Sequence, residues 1–118
     1  MGEINNVAIH RVDAAGEKLG SGASAIELIG ATYGQAVDMV VVPVERFDPE
    51  FFRLASGLAG EFIQKLQQYG LRLAIVGDLE AELRRSKPLQ DFVRETNRHG
   101  QHLFVRDDAE LETRLAAR

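Results

Sequence analysis

The sequence predicts an α/β fold: a small, mainly parallel sheet of four to five strands with helices packed on it. Two short runs, residues 39–42 and 73–76, are continuously apolar and mostly aliphatic, which is typical of strands covered on both faces. Amphipathic segments of helical length separate the candidate strands. This alternation predicts right-handed crossovers between parallel strands. We expect the two apolar runs to be adjacent and parallel at the centre of the sheet.

Length and composition indicate one ordinary soluble domain, and we expect residues 1–118 to form it. The 14 Lys and Arg against 18 Asp and Glu give a net charge of -4, which argues against binding to nucleic acid or to anionic membranes. Because cysteine is absent, disulfides and thiol chemistry are excluded. The first residues show no basic segment followed by an apolar run, and no stretch approaches the roughly 20 apolar residues of a membrane helix, so the expected location is the cytoplasm.

The amino-terminal third is predicted to hold an edge strand and a first helix. Residues 4–12 alternate loosely between apolar and polar side chains, as in a strand with one face exposed to solvent. A turn at residues 13–16 follows, and residues 17–19 are a candidate partner strand. Ser24 is the candidate cap of a helix that ends near Gly34. The glycines of residues 20–24 match neither a dinucleotide-binding nor a Walker phosphate loop, so this run is interpreted as a flexible connection.

Two interpretations of the long amphipathic segment at residues 49–69 differ in where its helix begins. In the first, Asp48 caps one helix over the whole segment. In the second, residues 49–53 form a single turn and Ser56 caps a new helix whose first turn holds Gly57 and Gly60. The second is favoured because each interior glycine would cost about 1 kcal/mol in the first. The predicted core face is the same in both and consists of Leu58, Ala59, Phe62, Ile63, Leu66 and Tyr69.

The carboxyl-terminal part is predicted to add two helices and a strand. Ser86 opens a helix that ends at residues 97–100, where Gly100 suits the left-handed position beyond the last turn. Residues 102–105 form a further strand. Asp107 and Glu110, three residues apart, make a capping pair for the final helix.

Two blocks of the sequence carry a family resemblance. They are FFRLASGLAGEFIQKLQQYGLRLAIVGD at residues 51–78 and SKPLQDFVRETNRHGQHLFV at residues 86–105. Together they resemble a bacterial family described as domain of unknown function 4180, and the similarity covers most of residues 41–105. The resemblance implies no particular activity, because none is established for the family.

A more distant resemblance concerns the order of elements around residues 56–58, Ser-Gly-Leu. An apolar strand, this motif at a helix start, then Gly70 and a second apolar strand are similar to the order in STAS (anti-sigma-factor antagonist) domains. The resemblance implies a STAS-like fold and a regulatory module in which a phosphorylated serine or threonine breaks a partner interface. Residues 54–55 are Leu-Ala where that class usually has Asp-Ser, and the preceding loop is longer. The fold is therefore better supported than the phosphoswitch.

The leading functional hypothesis is a non-catalytic module that binds a protein partner or a second copy of itself. Ser56 is either a plain helix cap or a regulated hydroxyl near the positive helix end. Glu61 and Lys65 form either a solvated pair or, with Gln64, a polar ridge for the partner. The candidate surface consists of Ser56, Gly57, Gly60, Glu61, Gln64 and Lys65.

The alternative is a binding domain or enzyme with a small anionic ligand at the carboxyl ends of the strands. Arg46 and the amides near Gly57 would hold the anion. Asp78 would act as acid or base, unless it only caps the next segment. No catalytic residues or cofactor are assigned, because no nucleophile with its base and no phosphate loop is recognisable. No metal site is assigned, because the three histidines share no helix face and no cysteine is present. The sequence favours the non-catalytic module.

Overall fold

The computed structural model describes residues 2–116 of the chain. It contains one five-stranded sheet in the order β1-β2-β3-β4-β5. Its strands are Gly2–Ile4 (β1), Val7–Arg11 (β2), Met39–Pro43 (β3), Arg72–Val76 (β4) and Leu103–Val105 (β5). β1 is antiparallel to β2, and β2 to β5 are mutually parallel. The predicted fold class is confirmed, as is the parallel pairing of the two apolar runs, which are β3 and β4.

Within the described residues, four α-helices and three short 3₁₀ turns lie between strands, and a fifth α-helix follows the last strand. The helices are Gly22–Thr32 (α1), Leu58–Gln68 (α2), Glu80–Arg85 (α3), Lys87–His99 (α4) and Asp108–Ala116 (α5). The 3₁₀ turns are Val44–Arg46, Pro49–Phe52 and Leu54–Ser56. Most of the local signals at the carboxyl-terminal helices are confirmed. Ser86 caps α4, Gly100 follows it with φ 79°, and Asp107 Oδ1 accepts from Glu110 N at 2.8 Å.

The two faces of the sheet are covered unequally. Because strand side chains alternate between faces, Val40, Val42, Leu73, Ile75 and Phe104 pack with α1, α2 and α4. The opposite side chains pack with Leu111 and Leu115 of α5; they include Ile9, Met39, Val41, Ala74, Leu103 and Val105. The parallel strands β2 to β5 lie in the sheet in the order in which they occur in the sequence. Connections of the same hand between such strands place all of the intervening helices on one face of the sheet. α5, which follows the last strand, covers the other face.

The amino-terminal prediction is wrong in two respects. Residues 4–12 do not form one edge strand, because Asn5 and Asn6 adopt φ values of 49° and 69° and turn the chain into a tight hairpin. Asparagine tolerates this left-handed conformation better than most residues. β1 is consequently the edge strand, and β2 lies inside the sheet. Residues 17–19 do not pair with β2; Leu19 instead forms an isolated parallel bridge with Phe47.

The caps of the first two crossover helices also differ from the prediction. α1 is capped by Ser21, whose Oγ accepts from Ser24 N at 3.2 Å, and not by Ser24. The favoured interpretation of residues 49–69 is correct in that separate turns precede α2. However, the N-cap residue is Gly57 at φ 79°, not Ser56. Glycine adopts this left-handed conformation without a steric penalty, so the chain changes direction there.

The core face of α2 is confirmed except at its end. Ala59, Phe62 and Leu66 are buried, and Leu58 and Ile63 are half-buried. Tyr69 is 63% exposed and lies directly after Gln68, the last residue of α2. Aromatic rings join α2 to the turns before it, with centroids 4.2 to 5.7 Å apart. These rings belong to Phe47, Phe51, Phe52 and Phe62.

Candidate functional site

Ser56 joins the turns that precede α2 to the start of the helix. Its hydroxyl donates to Glu50 O at 2.8 Å, and its Oγ accepts from Leu58 N at 3.2 Å. The hydroxyl hydrogen is therefore used inside the fold. A modification that replaces this hydrogen would break the hydrogen bond to Glu50 O. The Ser56 oxygen would still be able to accept the hydrogen bond from Leu58 N.

Gly57 and Gly60 occupy different environments beside Ser56. The Gly57 amide donates to Leu54 O at 3.0 Å, so it is already bonded within the fold and does not face an anion. Gly60 lies in the first turn of α2, and apart from its chain neighbours and the backbone of its own helix no atom lies within 4 Å of the point that a Cβ would occupy there.

Glu61 binds α1, and it does not form the solvated pair with Lys65 that was one of the two interpretations of these residues. Its Oε1 accepts from Gly22 N, the first residue of α1, at 2.6 Å. A carboxylate in this position satisfies a free amide and complements the positive helix end. Gly22 permits the close approach, since a Cβ on it would lie 3.1 Å from Glu61 Cδ. Within residues 2–116, no ion pair involves Lys65.

The outer side of α1 is apolar. Ile26 is 53% exposed and Tyr33, directly after the helix, is 84% exposed. Ala23 and Gly30 are also exposed, and spacings of three, four and three residues place all four on one side. Helical spacing from the Gly22–Glu61 bond brings Ile26 level with Lys65 of α2. The candidate ridge therefore lies on the helix that packs against α1, and its residue Lys65 and Ile26 of the stripe are each four residues beyond the Gly22–Glu61 bond.

Sequence reasoning missed this stripe, although a signal for it exists. Residues 22–32 contain a single charged residue, Glu27, and every other exposed position of this helix carries Ala, Ile or Gly. A surface helix is normally polar on its outer side. The absence of polar residues at positions 23, 26 and 30 was the available signal.

Arg46 holds a neighbouring loop in place. Its Nε donates to Glu17 O at 2.7 Å, and its Nη1 donates to Asp13 O at 2.9 Å. A Cβ at Gly16 would lie 2.6 Å from the guanidinium carbon, so the loop closes directly on the side chain. The guanidinium is bonded to backbone carbonyls in the positions where an anion would bind.

Asp78 lies in a different place from Arg46. Its Oδ1 accepts from Glu80 N at 2.8 Å, the local bond expected of a residue that starts the next helix. Arg46 lines a hollow of about 350 Å³ between α1 and the loop before it. Asp78 lines a separate hollow of about 290 Å³ at the ends of β4 and β5. The structure therefore does not bring together the two residues of the alternative site.

The hollow that Asp78 lines is called here the β4–β5 crevice. It lies where the chain leaves β4 toward α3 and α4 on one face of the sheet and leaves β5 toward α5 on the other. Apolar side chains form its wall and charged side chains its rim. They include Ile75, Val93, Phe104, Asp78, Arg106 and Glu110.

His102 is buried at the opposite end of the sheet. Its Nδ1 accepts from Leu73 N at 3.0 Å, so its Nε2 carries the hydrogen and donates to Gln67 Oε1 at 3.1 Å. Burial lowers the pKa of His102 below its ordinary value of 6.5, and the positive charge of Arg72 lowers it further. His102 is therefore a neutral structural residue.

Residues 2–116 contain neither a cluster of metal-binding side chains nor a membrane-spanning helix. No group of three or more His, Asp or Glu side chains in this part of the chain could hold a metal ion. None of the helices described there is long and apolar enough to cross a membrane.

Comparison with known families identifies one match. A family model described as "Domain of unknown function (DUF4180)" matches residues 4–115. The match extends beyond residues 41–105, on which the sequence resemblance rests, and includes β2, α1 and α5. Neither the curated proteins nor the solved structures yielded a match.

Proposed function

The chain belongs to the DUF4180 family, and since the family's description assigns no activity, we propose a function from the surface of the fold. The protein is a non-catalytic interaction or regulatory module, STAS-like in fold. It associates with a second copy of itself through the outer side of α1 and the adjoining side of α2. One observation carries this proposal: Ile26 and Tyr33 are exposed on the same side of α1.

An apolar stripe on the outside of a helix favours association. Contiguous exposed apolar surface is unusual on a monomer and marks an interaction site. Interface cores are poor in charged residues and rich in aromatic ones. The outer side of α1 has both properties, with Tyr33 as its aromatic residue and Glu27 as the only charge of the helix.

The stripe is complementary to itself, which favours a second copy as the partner. A two-fold symmetric contact requires that residue i meets residue j and that j meets i. In two antiparallel α1 helices centred on residue 28, Ile26 of each copy faces Gly30 of the other, and Tyr33 faces Ala23. Each large side chain then meets a small residue, which lets the helices approach closely.

The polar residues of α2 supply the rim of this proposed interface. Gln64 is exposed and Lys65 is half-buried beside the stripe. A polar rim around an apolar centre is the usual anatomy of an interface. Glu61 contributes indirectly, because its bond to Gly22 fixes α1 against α2. Ser56, Gly57 and Gly60 lie at the start of α2, where modification of Ser56 would regulate the module.

The experiment is sedimentation equilibrium over a range of protein concentrations. We expect wild-type mass to rise above the monomer value of 13.0 kDa with increasing concentration. Ile26→Glu should remain monomeric, because association would bury an unpaired carboxylate in each copy. Lys65→Glu should weaken association to a smaller extent, as rim charges do.

Thr113→Glu is the matched control. It also adds one negative charge at an exposed helical position, but on α5 at the opposite face of the sheet. We expect it to associate like the wild type. A wild type that stays monomeric throughout, or an Ile26→Glu variant that associates as well as Thr113→Glu, would refute the proposal.

A further inference from the structure

We propose that the β4–β5 crevice binds a small molecule that has an apolar body and a protonated amine. This inference does not depend on the proposed association, which uses the α1–α2 surface. It rests on the position of the crevice in the sheet, its apolar wall and the charges on its rim.

The position is the one at which open parallel sheets bind ligands. Such sheets bind ligands outside the carboxyl ends of the strands, where connections from adjacent strands go to opposite faces. β4 continues into α3 and α4 on one face, and β5 continues into α5 on the other. The two connections diverge and leave the crevice between them. Because the other parallel strands are followed by helices on the same face, this divergence occurs only between β4 and β5 in the described sheet.

The wall of the crevice is apolar and rigid. Ile75 and Phe104 come from neighbouring strands, are paired in the sheet register and are almost fully buried. Val93 of α4 and Leu83 of α3 complete the wall. Side chains on strands and helices hold their positions more accurately than side chains on loops. The wall therefore suits a flat or branched hydrocarbon body.

The rim favours a positive charge. Three carboxylates, those of Asp78, Glu80 and Glu110, line the crevice together with one guanidinium, that of Arg106. Glu80 pairs with Arg84, and Glu110 lies 3.5 Å from Arg106 and 4.0 Å from Arg114. No cation within residues 2–116 pairs with Asp78. Asp78 is thus the carboxylate with which the ammonium group of a ligand would form an ion pair.

The volume limits the size of the ligand. The crevice measures about 290 Å³, at the lower end of the range for small-molecule sites. At roughly 30 Å³ for each water-sized group, it holds about ten non-hydrogen atoms. A primary amine on a short aromatic or branched chain has this size, and a ligand of this size binds with a Kd of the order of 1 mM.

The experiment compares three probes of nearly equal size by protein NMR titration. 2-Phenylethylamine is positively charged at neutral pH, 2-phenylethanol is neutral and phenylacetate is negatively charged. We expect the amine to shift the backbone amide signals of Ile75, Asp78 and Phe104 with a Kd of the order of 1 mM. The alcohol and the acid should bind at least about fivefold more weakly, because they lack the charge that pairs with Asp78.

Asp78→Asn tests the charge without altering the local fold. Its side-chain oxygen still accepts from Glu80 N, so we expect the variant to fold normally and to bind the amine no more tightly than the alcohol. Glu112→Gln on α5 removes the same charge outside the crevice and should leave the titrations unchanged. This control separates the local charge of Asp78 from the net charge of the protein.

Three outcomes would overturn the inference. The first is an absence of shifts around the crevice at about ten times the expected Kd. The second is binding of the alcohol or the acid as tightly as the amine, and the third is unchanged amine affinity in Asp78→Asn. Each of these outcomes is distinguishable from failure of the proposed association. The association of the wild type, Ile26→Glu and Thr113→Glu is measured by sedimentation in the absence of any probe molecule.

Discussion

Asn97 and Phe104 exchange two hydrogen bonds, as two residues of neighbouring strands would. Asn97 Oδ1 accepts from Phe104 N at 2.8 Å, and Asn97 Nδ2 donates to Phe104 O at 3.0 Å. β5 is an edge of the sheet, and an unpaired edge is a site of unwanted pairing with other chains. The side-chain amide of Asn97, which lies on α4, therefore takes the hydrogen-bonding position that a sixth strand would occupy beside the middle residue of β5.

Asn97→Ala should lower the free energy of unfolding by about 2 kcal/mol, because it leaves the amide and the carbonyl of Phe104 without partners. The measurement is urea denaturation together with hydrogen exchange at the Phe104 amide, which should lose protection. Arg94→Ala, an exposed position one turn earlier in α4, should change stability by no more than about 0.5 kcal/mol. Unchanged protection at Phe104 would show that the pairing is unimportant for the edge.

Stability should depend on the protonation of His102. Its pKa is lowered in the folded protein, so the unfolded chain binds more protons and stability falls as the pH drops below about 6.5. Protonation puts a hydrogen on Nδ1, where the ring now accepts from Leu73 N. For one proton the slope is at most about 1.4 kcal/mol per pH unit.

The measurement is urea denaturation of wild type and His102→Gln between about pH 5.5 and 7.5, above the range in which most carboxylates titrate. The other histidines contribute equally to both proteins, so the difference between the curves isolates His102. We expect the variant to lose part of the decrease at low pH. Parallel curves for the two proteins would contradict this prediction.

Gly77→Ala and Gly60→Ala should change stability in opposite directions. Gly77 has φ 146°, and a Cβ there would lie 2.8 Å from Val44 Cγ2; the substitution should cost about 2 to 4 kcal/mol. At Gly60 nothing opposes a Cβ, so alanine in the helix should add about 0.5 to 1 kcal/mol. Chemical denaturation of both variants provides the test, and a tolerated Gly77→Ala would mean that the loop after β4 is not fixed by Val44.

Ser56→Ala should lower stability by about 1 kcal/mol, whereas Ser56→Thr should remain within about 0.5 kcal/mol of wild type. Threonine can keep both the bond to Glu50 O and the bond from Leu58 N, and alanine keeps neither. Ser56→Asp, a stand-in for phosphate, retains only the acceptor and should be less stable than Ser56→Thr. Thermal melts of the three variants measure the difference; equal melting temperatures would show that the hydroxyl has no structural role.

Several features that depend on residues near one another in the sequence could be predicted, although the caps of α1 and α2 were each placed at the wrong residue. β3 and β4 were recognisable because strands buried on both faces are apolar at every position. Ser86, Gly100 and the Asp107–Glu110 pair were recognisable because a helix end is satisfied by residues within one turn. The hairpin at residues 5–6 was missed because Asn-Asn is a weaker turn signal than Asn-Gly.

The surfaces were less predictable because they depend on long-range contacts. Glu61 has the spacing of a partner for Lys65, but it binds an amide 39 residues earlier in the chain. Arg46 follows a strand end, as a ligand-binding residue would, yet the loop at residues 13–17 provides carbonyl oxygens for it. Sequence spacing within one element contains no information about a competing partner on another.

The single helix on the second face of the sheet has a consequence for folding during synthesis. Ile9, Met39, Val41 and Ala74 pack on the face that α5 covers, and α5 follows the last strand. The ribosome therefore completes all five strands before it releases the segment that shields this face. Until then the nascent chain exposes an apolar sheet surface, which is when an incomplete α/β protein is most prone to aggregate. Chaperone capture of ribosome-bound chains should accordingly be strongest between the emergence of β4 and that of α5.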